Sequence, residues 1–463
     1  MEKIYSHTLA LCPTCRQKVN ARIVESDEKI YLEKFCHTHG ISKTLICSDV
    51  QWYQSSRDYV KPKQLPLKVA VEEFKGCPES CGLCPEHQQH TCLPVIEITH
   101  KCDLRCPICL KNLDSIPQMT VAEFGNILDQ LLEYEGTVPV INLSGGEPTF
   151  HPDLEQMLQL ALDKGIVQTT VSTHGHRFLH DDNLRKLFKE TQTIVALQFD
   201  GFLPETYHYL RGRDFSQEKQ EIIQLLENEG IPYSLVATVA KGINDQEIAA
   251  IVDFFFASKA LSLMFQPATF TGHAGNLPAA ELRLTIPDVV KEIEKSRYVT
   301  PGDFNPLPCS HFSCFALAYY FNVSEGNYLS LKDFLGKSDY LEVICNRTLP
   351  GLDHCGYALI KEKIYEFWSA ADTSNANEQI LRRIRQILKE ISTTSFTPKK
   401  ALALGIHSMK AIFIHQFMDV HTLDFGRLIK CCNHYPQADG RLLPMCALNV
   451  FNELSSTNFV IPA

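Results

Sequence analysis

Thr99-His100-Lys101-Cys102-Asp103-Leu104-Arg105-Cys106-Pro107-Ile108-Cys109-Leu110 sets three thiols at CxxxCxxC spacing, on the loop that leaves an apolar run at residues 94–99. Three thiolates so placed can hold three irons of a [4Fe–4S] cluster and leave the fourth open to a ligand. One strand later stands Leu143-Ser144-Gly145-Gly146-Glu147-Pro148-Thr149. Its glycines let the backbone approach a bound group, and Glu147 can accept from an ammonium. A zinc site or three buried thiols would explain the triad alone, but neither explains the glycine turn behind a second strand.

Around these two segments the chain alternates strand and helix. Strands are predicted at 94–99, 138–143, 168–172, 193–199, 232–239 and 261–267, and helical patterns follow the first five. Phe124, Ile127, Leu128, Leu131 and Leu132 recur at helical spacing. Thr120 with Glu123, and Asn244 with Glu247, match capping boxes. Six βα units imply a parallel sheet with helices outside, an α/β fold.

The 463 residues carry 18 cysteines in tight groups. No apolar N-terminal run reads as an export signal, so clustered thiols point to metal ligands in a cytoplasmic protein. No stretch reaches the roughly 18 apolar residues of a membrane span. A net charge of −10 argues against a nucleic-acid partner.

Cys12, Cys15, Cys36 and His39 form two half-sites about a hairpin at 19–34, suited to zinc or a single iron, with Cys47 the alternative fourth ligand. Cys77, Cys81, Cys84 and Cys92 offer four thiolates for a fully ligated second [4Fe–4S] cluster, or else a zinc knuckle. The Cys77 set repeats the triad spacing. The later triad is preferred for the open cluster because it follows a strand and precedes the βα series. Of Cys309, Cys314, Cys431, Cys432 and Cys446, four can converge on a third cluster. Cys345 and Cys355 are further candidates, or buried small residues.

The triad, GGEPT, LQFDG and LRG resemble the radical S-adenosylmethionine (SAM) superfamily. With CPTC…FCHTHG, GCPESCGLCPEHQQHTC, PCSHFSC and CCNHYPQADGR they run in order along nearly the whole chain. That layout is similar to the group containing archaeal tetraether lipid synthase and hydroxymethylpterin methyltransferase-like proteins. The resemblance implies a partial (β/α)6 barrel at 94–300, a zinc-ribbon or rubredoxin-like module at 1–60, a cluster segment at 61–93 and an auxiliary-cluster domain at 301–463. It implies a SAM-binding [4Fe–4S] cluster on Cys102, Cys106 and Cys109, SAM, two auxiliary [4Fe–4S] clusters, and one zinc or mononuclear iron.

With the site at the C-terminal strand ends, cofactor contacts are expected from Gly145, Gly146, Glu147, Pro148, Thr173, Asp200 (a ribose or a substrate), Arg211 (the SAM carboxylate) and Gln266 (near adenine). His174 stands where an asparagine is frequent in the superfamily. The implied reaction is one-electron cleavage of SAM, fed by ferredoxin or flavodoxin, to a 5′-deoxyadenosyl radical. That radical abstracts hydrogen, and C–C bond formation or methylation follows on a lipid-like or other small molecule. A peptide-modifying maturase and a non-catalytic iron–sulfur scaffold are the alternatives. The first lacks a peptide-recognition segment ahead of the barrel; the second leaves GGEPT unexplained. Ile380, Ile384, Ile387, Leu388 and Ile391 share a helical face among basic residues, which suits peripheral membrane contact. Residues 398–418 are apolar with interspersed lysines. Packing on the barrel is the plainer reading of both.

Overall fold

This computed structural model describes residues 3–59, 61, 63–71, 76–77, 81–111, 118–324, 326–333, 335–346, 358, 362, 397 and 408–455. Four antiparallel strands come first: β1 (Lys3–Leu11), β2 (Lys18–Ser26), β3 (Lys29–Cys36) and β4 (Gly40–Cys47). β2 and β3 make the expected hairpin. Its turn residues Asp27 and Glu28 both take positive φ, 52° and 58°, a primed turn whose twist suits antiparallel strands. Helix α1 (Val50–Ser56) starts where the Asp49 carboxylate accepts from Gln51 N and Trp52 N.

The predicted parallel sheet follows. Its strands β5 (Leu93–Thr99), β6 (Val140–Gly145), β7 (Gln168–Thr173), β8 (Ile194–Gln198), β9 (Tyr233–Val239) and β10 (Ser262–Pro267) lie in chain order. Between them run α2 (Val121–Glu135), α3 (Leu154–Asp163), α4 (Asp182–Thr191), α5 (Pro204–Arg211), α6 (Ser216–Glu229) and α7 (Ile248–Ala257). The capping box of α2 forms, with Thr120 and Glu123 satisfying each other's backbone. The one expected at Asn244 does not. The Asn244 amide instead donates to Asp200 O and Thr238 O, and the Glu247 carboxylate accepts from Leu203 N, so tertiary partners outbid the cap.

Side chains alternate along each strand. Ile96, Ile98, Ile141, Leu143, Val171, Leu197, Leu235 and Leu263 share one buried core with Phe124, Ile127 and Leu128 of α2 and Phe255 of α7. The intervening, half-buried positions face the concave side: Glu97, Asn142, Ser144, Thr170, Ser172, Gln198, Ser234, Thr238, Ser262 and Gln266, with Ala196, Val236 and Met264 apolar among them. These groups pair across strands, Asn142 Nδ2 donating to Ser172 Oγ at 3.0 Å and Ser262 Oγ to Ser234 Oγ at 2.8 Å. The concave face is polar.

Short α8 (Ala279–Leu282) and α9 (Ile286–Ile293) lead into the C-terminal region, which extends both edges of the same sheet. Beyond β10 lie β11 (Asn305–Pro306), β12 (Phe315–Ser324), β13 (Asn327–Ser330) and β14 (Met409–His415), with β14 parallel to β10 and antiparallel to β12. Beyond β5 lie β15 (Asn433–Pro436), parallel to it, and β16 (Leu442–Pro444). The described part of the apolar 398–418 stretch is thus largely a sheet strand. Lys410 Nζ caps the end of α7, donating to Phe255 O, Ser258 O and Ala260 O at 2.6–2.9 Å. The amphipathic segment at 380–391 and Cys355 lie outside the described residues. Among the described residues no helix is long and apolar enough to cross a membrane.

Candidate active site and metal centres

The triad loop is stitched to the ends of its neighbours. Gly146 N donates to Thr99 O (2.7 Å) and Glu147 N to Lys101 O (2.8 Å), while Ala274 N, beyond β10, donates to Cys109 O (3.1 Å). A Cβ on Gly145 would stand 2.0 Å from Thr99 O, and one on Gly146 2.6 Å from Lys101 O, so only glycine permits this approach. Cys102, Cys106 and Cys109 are part-exposed, and Leu104 N lies 3.4 Å from Cys102 Sγ. Burial pushes the Cys102 thiol up to about 12 and raises Cys109. Such thiols ionise when a cation binds them. Three part-exposed sulfurs on one loop with an N–H aimed at one of them fit a cluster that keeps an open iron.

Glu147 has partners within the protein. Only 1 % exposed, it accepts from Thr149 N (3.1 Å), Thr149 Oγ1 (2.7 Å), Thr173 Oγ1 (2.6 Å) and His174 N (2.9 Å). Its carboxylate ties the end of β7 to the glycine turn, and Thr173 is spent in the same bond. His174 Nε2 lies 2.8 Å from Asp103 Oδ1 and 3.2 Å from Glu147 Oε2, linking that turn to the triad loop. Pro148 is buried and opens the 3-10 turn behind Glu147. A residue the sequence did not single out, Lys219 of α6, is fully buried with its Nζ on His174 O; burial lowers it to about 7. A lone lysine on an amphipathic helix gives no sequence signal.

Asp200 is likewise committed. It is fully buried and takes Arg211 in a two-point pair, Nε to Oδ2 at 2.6 Å and NH2 to Oδ1 at 2.8 Å, besides Thr238 N at 2.9 Å and Gln198 Nε2. Asp200 thus orients Arg211, whose guanidinium also faces Cys106. Gln266 lies on the concave face with Nε2 3.4 Å from Met264 Sδ.

Cys12, Cys15, Cys36 and His39 converge in the four-stranded module, their ligand atoms all within 4.8 Å of one another. His39 Nδ1 lies 3.6 Å from Cys12 Sγ and 3.5 Å from Cys36 Sγ. Backbone and ring hydrogen bonds from His39 lower the Cys36 thiol to about 6. This set fits a closed tetrahedral ion. Cys47 stands apart, buried, with its Sγ on Asp49 O at 3.2 Å.

The remaining cysteines regroup. Cys92 leaves the set expected with Cys77, Cys81 and Cys84: it contacts Cys309 and Cys432, and Cys309 contacts Cys345. All four share one buried cluster. Parallel pairing of β15 with β5 brings this about, Cys92 N donating to Cys432 O at 2.8 Å. Adjacent Cys431 faces the other way, among Cys314 and Cys446. N–H groups aim at these sulfurs: Asn346 N at Cys309 (3.2 Å), Met418 N at Cys446 (3.2 Å) and Arg427 NH2 at Cys314 (3.4 Å). Sulfurs so served suit thiolate ligation. Cys81 keeps Cys77 and Cys84 as neighbours and packs in the cluster holding Cys446.

Residues 96–255 match the radical SAM superfamily, and residues 4–48 match the HMPTM N-terminal zinc ribbon domain. The chain is 29% identical to 7,8-dihydro-6-hydroxymethylpterin dimethyltransferase of Methanocaldococcus jannaschii, over 96% of this chain and 93% of that protein. It is 31% identical to GTP 3',8-cyclase of Chlorobaculum tepidum over 34% of this chain, spanning 48% of that enzyme. Among solved structures, Streptococcus suis SuiB bound to S-adenosylmethionine aligns at 18% identity and a TM-score of 0.38, over 44% of this chain and 47% of that one.

Proposed function

We propose that this chain, whose residues 96–255 match the radical SAM superfamily and 4–48 a zinc ribbon, is a SAM-dependent iron–sulfur enzyme that methylates carbon on a polar fused heterocycle of the pterin class. The polar concave face carries this reading. Asn142 with Ser172 and Ser234 with Ser262 partly satisfy one another, but an alkyl chain would leave their remaining hydrogen-bonding capacity, the Ser144 hydroxyl and the Glu97 charge on the same face without water. A heterocycle with its own donors and acceptors satisfies them. Likeness to the pterin dimethyltransferase along almost its whole length agrees.

Cys102, Cys106 and Cys109 would hold the SAM cluster. Bound there and reduced by one electron, from a ferredoxin or flavodoxin, cluster and SAM supply a 5′-deoxyadenosyl radical able to take hydrogen from an unactivated C–H bond. The chain's own work is positional. Gly145 and Gly146 admit the ligand's approach, Glu147 fixes the turn, and Asp200 aims Arg211 toward Cys106 and the expected SAM carboxylate. Cys12, Cys15, Cys36 and His39 would bind zinc or one iron.

The test is anaerobic. Protein reconstituted with iron and sulfide receives dithionite, SAM and 6-hydroxymethyl-7,8-dihydropterin; one SAM should yield 5′-deoxyadenosine and methionine, a second should donate its methyl and leave as S-adenosylhomocysteine, and the pterin should return methylated, all read by mass spectrometry. Steady 5′-deoxyadenosine with the pterin returned unchanged would sink the substrate reading.

We also propose two auxiliary centres on the regrouped thiols, one held by Cys92, Cys309, Cys345 and Cys432 and the other by Cys314, Cys431 and Cys446. Cys431→Ser and Cys432→Ser should each remove about four irons per chain, but from spectroscopically different centres. Cys92→Ser should reproduce the Cys432→Ser spectrum. Identical Mössbauer losses for the two neighbouring variants would refute the split.

A further inference from the structure

The triad loop begins and ends in a pair of charges that nothing above uses. Glu97 projects from β5 onto the concave face, level with Ser144 of β6. Lys111, two residues past Cys109, meets it at 2.7 Å, the side chains 13% and 15% exposed. His100 Nε2 lies 3.9 Å from the other oxygen of Glu97, and the Lys111 ammonium sits 4.2 Å over the Tyr435 ring. Taking two charges from water is costly, and burial is tolerated where the groups are hydrogen-bonded all round. Here the pair closes only on itself and on Tyr435, Glu97 Oε1 and Lys111 Nζ meeting off the hydrogen-bond line, and His100 Nδ1 is buried with no hydrogen-bond partner. A single acid in the otherwise apolar run Leu93-Pro94-Val95-Ile96-Glu97-Ile98-Thr99 is the sequence signal for it.

We propose that Glu97 and Lys111 read the lactam–amidine edge of a fused pyrimidine: the carboxylate accepts from two adjacent N–H groups, and the ammonium donates to the neighbouring carbonyl. This rests on the polar-heterocycle reading and narrows it to a 2-amino-4-oxo ring. Pterins and guanine share that edge, and they appear in the names of the two relatives described. The geometry suits it. Glu97 lies two residues below the end of β5, about 7 Å along the strand, so a ring held there rests under the triad loop. Parallel N–H groups match a carboxylate in two-point fashion, and the adjacent carbonyl falls to the cation. Tyr435, 4 % exposed beneath the ammonium, holds the lysine in place.

The experiment measures equilibrium binding to the reconstituted full chain with SAM bound, using 6-hydroxymethylpterin, its 2-deamino analogue and GTP as separate probes. Parent protein should prefer the pterin to the 2-deamino analogue. Glu97→Gln should weaken pterin binding about tenfold to a hundredfold, the worth of charge-assisted hydrogen bonds, and should erase the preference between the two pterins. Lys111→Met should weaken both pterins alike. Iron content and SAM binding, read in the same samples, should match the parent. Glu97→Gln that binds pterin as tightly as the parent, or keeps the full preference, overturns the proposal. So does loss of iron in both variants, which would make the pair a clasp for the triad loop. If the parent binds neither pterin nor GTP, the heterocycle reading of the substrate falls with it; failure of the variants alone leaves that reading standing. Tighter binding of GTP than of pterin would assign the edge to a guanine nucleotide.

Discussion

Cys106→Ala should end 5′-deoxyadenosine formation and remove about four irons per chain, while metal at Cys12, Cys15, Cys36 and His39 stays. Two thiolates cannot hold three irons, and an incompletely held cluster cannot keep one iron open for SAM. The choice of triad is what the variant decides, because Cys77, Cys81 and Cys84 have the same spacing. Position favours the later one. Its loop is bonded to the glycine turn through Gly146 N and Glu147 N and to the segment beyond β10 through Ala274 N, at the strand ends where α/β barrels hold their ligands. Cys81 is buried beside residues of the C-terminal strands, in the cluster of Leu443 and Cys446. Cys81→Ala is the matched control. It should leave the triad's iron and SAM cleavage in place. Cleavage lost in Cys81→Ala and kept in Cys106→Ala would exchange the two assignments.

The barrel was legible because its signals are local. Strands at 94–99 and 168–172 differ from β5 and β7 by a residue, and the capping box at Thr120 needs only four consecutive residues. The convergence of Cys12, Cys15, Cys36 and His39 was legible for the same reason, since two half-sites flank one hairpin. Where long-range pairing decides, the sequence spoke less clearly. Cys92 falls naturally with Cys84 by spacing, yet β15 beside β5 carries it to Cys432, more than three hundred residues on. Side-chain partners were hidden in the same way. Glu147 and Asp200 stand at the expected strand ends, but buried carboxylates need partners, and those supplied by Thr173 and Arg211 come from other elements of the fold. Asn244 is the same lesson at a helix start: its amide satisfies Asp200 O and Thr238 O, leaving the cap to no side chain.

Asp419→Ala should be the most destabilising single change outside the metal centres. Asp419 is fully buried just past β14, and Arg283, between α8 and α9, reaches its Oδ2 at 2.8 Å with a side chain only 7% exposed. It also accepts from Phe270 N (3.3 Å), His421 N (3.0 Å), Thr422 N (3.1 Å) and Thr422 Oγ1 (3.0 Å). These bonds gather three parts of the molecule. Phe270 leads to the segment that holds Cys109, Arg283 leads to α9, and Lys34 of the zinc ribbon places its ammonium on His421 O. Removing the carboxylate leaves Arg283 buried and unpaired, a loss of about 3–5 kcal/mol. Asp419→Asn, which keeps an acceptor but not the charge, should fall between. The pH dependence has a definite sign. Burial raises this carboxyl, but Arg283 and the hydrogen bonds outweigh it and hold it below the usual carboxylate range. Its contribution is therefore complete above the unfolded value, about 4, and is lost as pH falls through the lower folded value. Urea midpoints of parent and Asp419→Ala should lie far apart at neutral pH and converge below about pH 4. A midpoint for Asp419→Ala equal to the parent's at neutral pH would mean that Arg283 finds water or another acceptor, and that the ribbon and barrel are joined by other contacts.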